Sequence, residues 1–240
     1  MRSMFEFCVI CLAIAAVSCN SIPRHTEGTE LYRTAGDDLP TASQVMAGVA
    51  RRYGPLTYFR AGGVNSHRST FDGELTENSE VAFEIMYDRK ANSASIKWTE
   101  DEPKLFRIEG TKSWLDEGGI RRNFETPKDG LGTITISNRG WTLFLIEIFV
   151  FRDEIGLGDT FFNNYLNPTV TGKEVIDGEW CYVFRGTFAG VEADITYWID
   201  EEDFLIRKIE KQVVIRKVVD EKEWVRRAVT TETYSNIELR

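Results

Sequence analysis

Between Leu56 and Leu239 apolar residues recur at every second position within short segments, and that period points to a sheet. Val81, Phe83, Ile85 and Tyr87 alternate with Ala82, Glu84, Met86 and Asp88, so one face of the strand meets a core and the other meets water. Gly, Asn, Asp and Pro bound the segments. Ala91-Asn92, Gly110, Glu117-Gly118-Gly119, Asp177-Gly178, residues 200–203 and residues 220–223 all read as tight turns between antiparallel neighbours. Residues 56–62 and 64–74 form either a first pair or one long bent strand. The whole pattern predicts about nine or ten antiparallel strands, and a sheet that wide curls. Before it, Ser43 is placed to cap a helix in which Val45, Val49 and Tyr53 repeat every four residues, ending before Gly54-Pro55. A short helix is expected at 160–166, ended near Pro168.

Residues 141–151 read WTLFLIEIFVF, with Glu147 the one charge in the run. As a helix this segment is apolar almost all round: Trp141, Leu145 and Ile148 share one face, while Leu143, Ile146 and Val150 cover another. It must be buried on several sides, yet it falls far short of the roughly 20 residues that cross a bilayer. We read it as a central helix in the hollow of the curved sheet; a run this short also fits a buried strand. It serves either as plain core or as the lining of an apolar ligand site. The fold class is therefore α+β: a large curved antiparallel sheet with an N-terminal helix and a central apolar helix.

The N-terminus has the plan of an export signal. Arg2 precedes an apolar run at 7–17, which ends in Ala16-Val17-Ser18-Cys19. That tetrapeptide resembles the lipobox of bacterial lipoproteins, in which the Cys is acylated and becomes the first mature residue. Ala16 stands where Leu is commonest and Glu6 interrupts the usual order, so an ordinary signal peptide cut near Ser18 stays open. The expected organisation is a signal peptide at 1–18, a lipidated N-terminus and polar tether at 19–40, and one domain at 41–240. Asn20 rather than Asp follows the Cys. By the lipoprotein resemblance this favours the outer membrane, facing the periplasm, in a Gram-negative envelope.

Charge and cysteine usage narrow the partners. A formal charge of -9 is the wrong sign for gripping a phosphate backbone, which argues against nucleic acid. Cys8 and Cys11 lie in the removed segment and Cys19 is reserved for lipid, leaving Cys181 as a small buried hydrophobe in Trp180-Cys181-Tyr182-Val183-Phe184.

No reaction is spelled out, and we expect no catalytic residue, metal or cofactor. His25 lies in the tether, and His67, in Asn65-Ser66-His67-Arg68, reads as an exposed strand or turn residue. Two dispersed His and one Cys do not make a zinc site. The acidic runs at 100–102 and 200–203 read as solvated turns, with a weak calcium site at the second as the sharper alternative. Gly156-Leu157-Gly158 lacks the remaining features of a phosphate-binding loop.

The order helix, meander, apolar helix and hairpins resembles the lipoprotein-carrier superfamily of LolA-like and LolB-like proteins. The marks are Tyr53-Gly54-Pro55-Leu56-Thr57-Tyr58 leading to Gly63-Val64, then Gly178-Glu179-Trp180-Cys181-Tyr182, Tyr197-Trp198-Ile199-Asp200 and Leu205-Ile206-Arg207-Lys208. The resemblance implies a half-barrel around an apolar cavity that receives acyl chains. Trp141, Phe144, Leu145, Ile148, Phe149 and Phe151 would then face Phe83, Ile85 and Tyr87 across the ligand, with about 0.8 kcal/mol gained per buried methylene. Arg60 is the position offered for the arginine that locks a carrier's lid. A lipid on Cys19 fits a membrane-fixed acceptor better than a shuttle.

Two functions follow. The first is an exported, lipid-anchored envelope protein that binds an acyl chain, lipid or lipoprotein in an apolar cavity. The second is a structural or regulatory envelope lipoprotein that binds a protein partner and has no ligand cavity.

Overall fold

The computed structural model describes residues 39–99, 103–131, 165–188, 193–219 and 222–240. Among them, helix α1 (Ala42–Tyr53) precedes eleven strands: β1 (Tyr58–Phe71), β2 (Glu74–Asp88), β3 (Ser93–Thr99), β4 (Lys104–Glu109), β5 (Lys112–Glu117), β6 (Ile120–Phe124), β7 (Tyr165–Ile176), β8 (Glu179–Phe188), β9 (Ala193–Asp200), β10 (Ile206–Val219) and β11 (Lys222–Leu239).

The alternation predicted antiparallel pairing, and every neighbouring pair is antiparallel. The order is β6-β5-β4-β3-β2-β1-β11-β10-β9-β8-β7, so two meanders are joined where the first strand pairs with the last. The strand number exceeds the nine or ten expected. Of the two forms expected for residues 56–74, one long bent strand is found: β1 runs unbroken from Tyr58 to Phe71 with an irregularity between Arg60 and Gly62, and it ends where Asp72-Gly73, both at positive φ, turn the chain into β2. Such two-residue turns match the twist of the strands they join, and Gly118-Gly119 and Asp177-Gly178 repeat the device.

Three further expectations change. Thr41, not Ser43, caps α1: its Oγ1 accepts from the Gln44 amide at 3.3 Å while Gln44 Oε1 accepts from the Thr41 amide at 2.8 Å. Leu166 and Pro168, placed in or beside a short helix at 160–166, lie in β7; residues 160–164 fall outside the described residues. Pro168 is tolerated because β7 is an edge strand and its ladder is irregular between Leu166 and Thr169. The central apolar helix expected at 141–151 also lies outside the described residues.

Curvature follows from the core. An eleven-strand sheet laid flat spans about 48 Å, whereas the 12 residues of α1 extend about 18 Å. Yet Val45, Val49 and Tyr53 of α1 share one continuous core with Trp98, Phe106 and Leu115 from one side of the sheet and with Val170, Phe184 and Tyr197 from the other. The sheet therefore bends round a hollow, unclosed, with β6 and β7 as its two edges. Gly48 permits the approach of Phe204, since a β-carbon there would stand 2.2 Å from the ring. Among the described residues no helix is long and apolar enough to cross a membrane.

Candidate ligand site on the concave face

The inward side chains change character along the central strands. Phe59 and Ala61 of β1, with Phe83, Ile85 and Tyr87 of β2, are buried and apolar. Further along the same faces stand Asn65, His67 and Ser69 of β1 and Glu77 and Ser79 of β2. Strand β11 supplies Thr230, Glu232 and Tyr234 opposite them. Period two makes this one belt: Val81, Asn65 and Glu232 stand in register across three strands, as do Ser79, His67 and Thr230.

The belt is bonded internally at several points. His67 Nδ1 pairs with Thr230 Oγ1 at 3.0 Å, and His67 Nε2 stands 3.9 Å from Glu77 Oε2. The Tyr234 hydroxyl donates to the Glu232 carboxylate, and Arg226 Nε donates to Ser69 Oγ at 2.9 Å. Asn65 is wholly buried, and neither its amide oxygen nor its amide nitrogen has a hydrogen-bond partner among the described residues. An unbonded buried polar group costs about 1–3 kcal/mol, so fold stability alone does not account for an Asn here.

Gly63 sets the border between the two zones. A β-carbon on it would lie 2.1 Å from the Thr233 carbonyl oxygen and 2.6 Å from the Phe83 ring. Without one, Phe83 swings over β1 and meets Tyr234 edge to face, with centroids 5.5 Å apart.

Of the residues expected to line a ligand, Phe83, Ile85 and Tyr87 point inward and are buried. Trp141, Phe144, Leu145, Ile148, Phe149 and Phe151 lie outside the described residues, as do Glu147 and Cys19. Arg60 points away from the hollow, bonding Glu84 at 3.1 Å and approaching Glu238 at 3.9 Å on the outer face. His67 is not exposed: it shares the inward parity of Phe59 and is buried against β11. Sequence reasoning passed over Asn65, Glu232 and Thr230. The signal for the first was its even spacing from Phe59 and Ala61 along one strand.

Outside the hollow, Asp200 organises the β9–β10 turn. One carboxylate oxygen accepts from the Glu202 and Asp203 amides at 3.0 and 3.2 Å, and the other accepts Arg207 Nε and Nη2 at 3.1 and 2.8 Å. Burial opposes ionisation, but Arg207 and the two amides together hold the carboxyl below its ordinary value. These contacts occupy the carboxylate where a weak calcium site was weighed, and among the described residues no acidic, His or Cys cluster has metal-binding geometry. Cys181 is buried with Val183 and Trp198, and burial, with Asp200 nearby, pushes its thiol up to about 12.

Neither a family model nor a curated protein matches the sequence. Several solved structures are similar to the chain. A LolA superfamily protein from Nitrosomonas europaea has 13% identity and a TM-score of 0.34, covering 84% of this chain and 94% of its own. The lipoprotein LppX of Mycobacterium tuberculosis has 13% identity and a TM-score of 0.45, covering 82% and 94%. The Pseudomonas aeruginosa MucA/MucB complex has 11% identity and a TM-score of 0.35, covering 82% and 56%.

Proposed function

We propose that this chain is an exported envelope protein that binds an acyl chain, lipid or lipoprotein within its half-barrel, in the manner of a carrier or acceptor. The supporting observation is the division of the concave face into an apolar zone of Phe59, Phe83, Ile85 and Tyr87 and an adjoining polar belt of Asn65, His67, Thr230 and Glu232. An apolar chain gains about 0.8 kcal/mol for each methylene it withdraws from water, and the belt receives a polar end. Trp141, Phe144, Leu145, Ile148, Phe149 and Phe151 complete the lining in this reading. The chain acts by binding, without catalysis.

The proposed organisation is a signal peptide at 1–18, an acylated Cys19 with a tether to residue 40, and a binding domain at 41–240. Cys19 then holds the protein at the outer membrane, facing the periplasm.

Native mass spectrometry of the mature protein, before and after delipidation, tests the binding. Species at lipid or lipopeptide mass, lost in Leu145→Asp or Phe149→Asp, are the expected result. A protein that carries nothing and takes up no fluorescent fatty acid contradicts it. Metabolic labelling with an alkynyl palmitate, abolished by Cys19→Ala, tests the anchor.

A second reading, recognition of a protein partner in the envelope, is favoured by Val175 and Trp180. They pair across β7 and β8 at one edge of the sheet, 50% and 53% exposed.

A further inference from the structure

An acyl chain needs only an apolar wall, and the polar belt exceeds that need. Its centre is Asn65, wholly buried, with amide oxygen and amide nitrogen both unpartnered among the described residues. A carboxamide presents one acceptor beside one donor. Its complement offers a donor and an acceptor on the same side. An extended peptide residue has this form, since its N–H and C=O point together toward one neighbour, as they do in an antiparallel ladder.

The surroundings of Asn65 select among guests. Glu232 stands opposite it on β11 and accepts a hydrogen bond from the Tyr234 hydroxyl. A carboxyl group at that position disfavours an anionic head such as a fatty-acid carboxylate or a phosphate. On the other side is Val81, in register on β2 and apolar. Two residues back along β1, Gly63 leaves the border with the Phe83 ring without a side chain of its own. A neutral amide bound at Asn65 therefore has Phe83, Ile85 and Tyr87 of the apolar zone one, two and three strand repeats away, about 7 Å each.

We propose that Asn65 recognises the linkage of an amide-bonded acyl guest: an N-acylated amino acid or peptide whose first residue bonds the carboxamide through its N–H and C=O while its acyl chain lies on the apolar zone. This rests on the acyl-binding reading of the hollow. It adds that the linkage, and not only the chain, is read.

The test uses the mature, delipidated chain and titrates it with N-palmitoylglycine methylamide, its analogue N-methylated at the acyl amide, methyl palmitate and palmitate. Expected is affinity for the first about tenfold or more above the other three, the worth of one or two buried hydrogen bonds. Asn65→Leu is expected to remove that preference while leaving methyl palmitate binding in place. Equal affinities for the amide and its N-methyl analogue in the unaltered protein overturn the proposal without recourse to a variant. A preference that survives Asn65→Leu in folded protein also overturns it. If no palmitoyl compound binds, the acyl-binding reading itself fails; if all bind alike, the hollow stands and the role of Asn65 does not.

Discussion

The Tyr53 hydroxyl accepts a hydrogen bond from the Ile206 amide at 2.9 Å, joining the last residue of α1 to the first residue of β10. The β9–β10 ladder is irregular between Ile206 and Lys208, and the phenol supplies an acceptor at that point. Its ring also lies 6.3 Å from Phe59, so one side chain fixes the helix to two strands of the curved sheet. Burial, above all, raises the phenol well above its ordinary value and keeps it neutral. Tyr53→Phe is expected to strand a buried N–H and lower stability by about 1–3 kcal/mol, measured by urea unfolding. An unchanged midpoint would show that the bond does not hold the helix in place.

Acid stability is expected to depend on Asp200. Its carboxyl titrates lower in the folded chain than in the unfolded one, where the ordinary value is about 3.9. The stabilisation is therefore fully present above pH of about 4 and is lost as pH falls through the lower, folded value. Asp200→Asn should cost about 1.5–3 kcal/mol at neutral pH and little at low pH. Denaturant unfolding of both proteins at pH 7 and near pH 3 reads the difference; equal losses at the two values contradict the assignment.

Gly63→Ala is expected to destabilise by about 2–3 kcal/mol or more, because the β-carbon meets the Thr233 carbonyl, which cannot move without opening the β1–β11 ladder. The near-ultraviolet circular dichroism of Tyr234 and its neighbours should change with it. Gly172→Ala, which adds a β-carbon with nothing within 4 Å among the described residues, is the matched control and should cost far less.

The Cys181 thiol should be inert in the native protein. Burial raises it to about 12, so almost no thiolate exists at pH 8. An aromatic disulfide reagent should leave it unmodified at pH 8 and react at once after unfolding. Rapid native labelling would place Cys181 outside the packed cluster with Val183 and Trp198.

Local sequence determined most of the architecture. Alternation such as that from Val81 to Tyr87 decides which side chains face inward, and dipeptides such as Asp177-Gly178 reverse the chain, because both act between near neighbours. The inward placement of Phe83, Ile85 and Tyr87 was legible for that reason. The polar belt was not. His67 reads as an exposed strand or turn residue and Asn65 and Glu232 carry no signal of their own, since period two states that residues share a face but not which face is covered. Only the pairing of the first strand with the last brings Asn65 opposite Glu232. The bulge between Arg60 and Gly62, with Asn236 at positive φ, also shifts the parity of β11, so that Ile237 and Leu239 pack on the core from one side of it and Glu232 and Tyr234 turn inward on the other. Which residues meet across the centre of the sheet was thus left to long-range strand register, a tertiary choice because it pairs the first strand of the chain with the last.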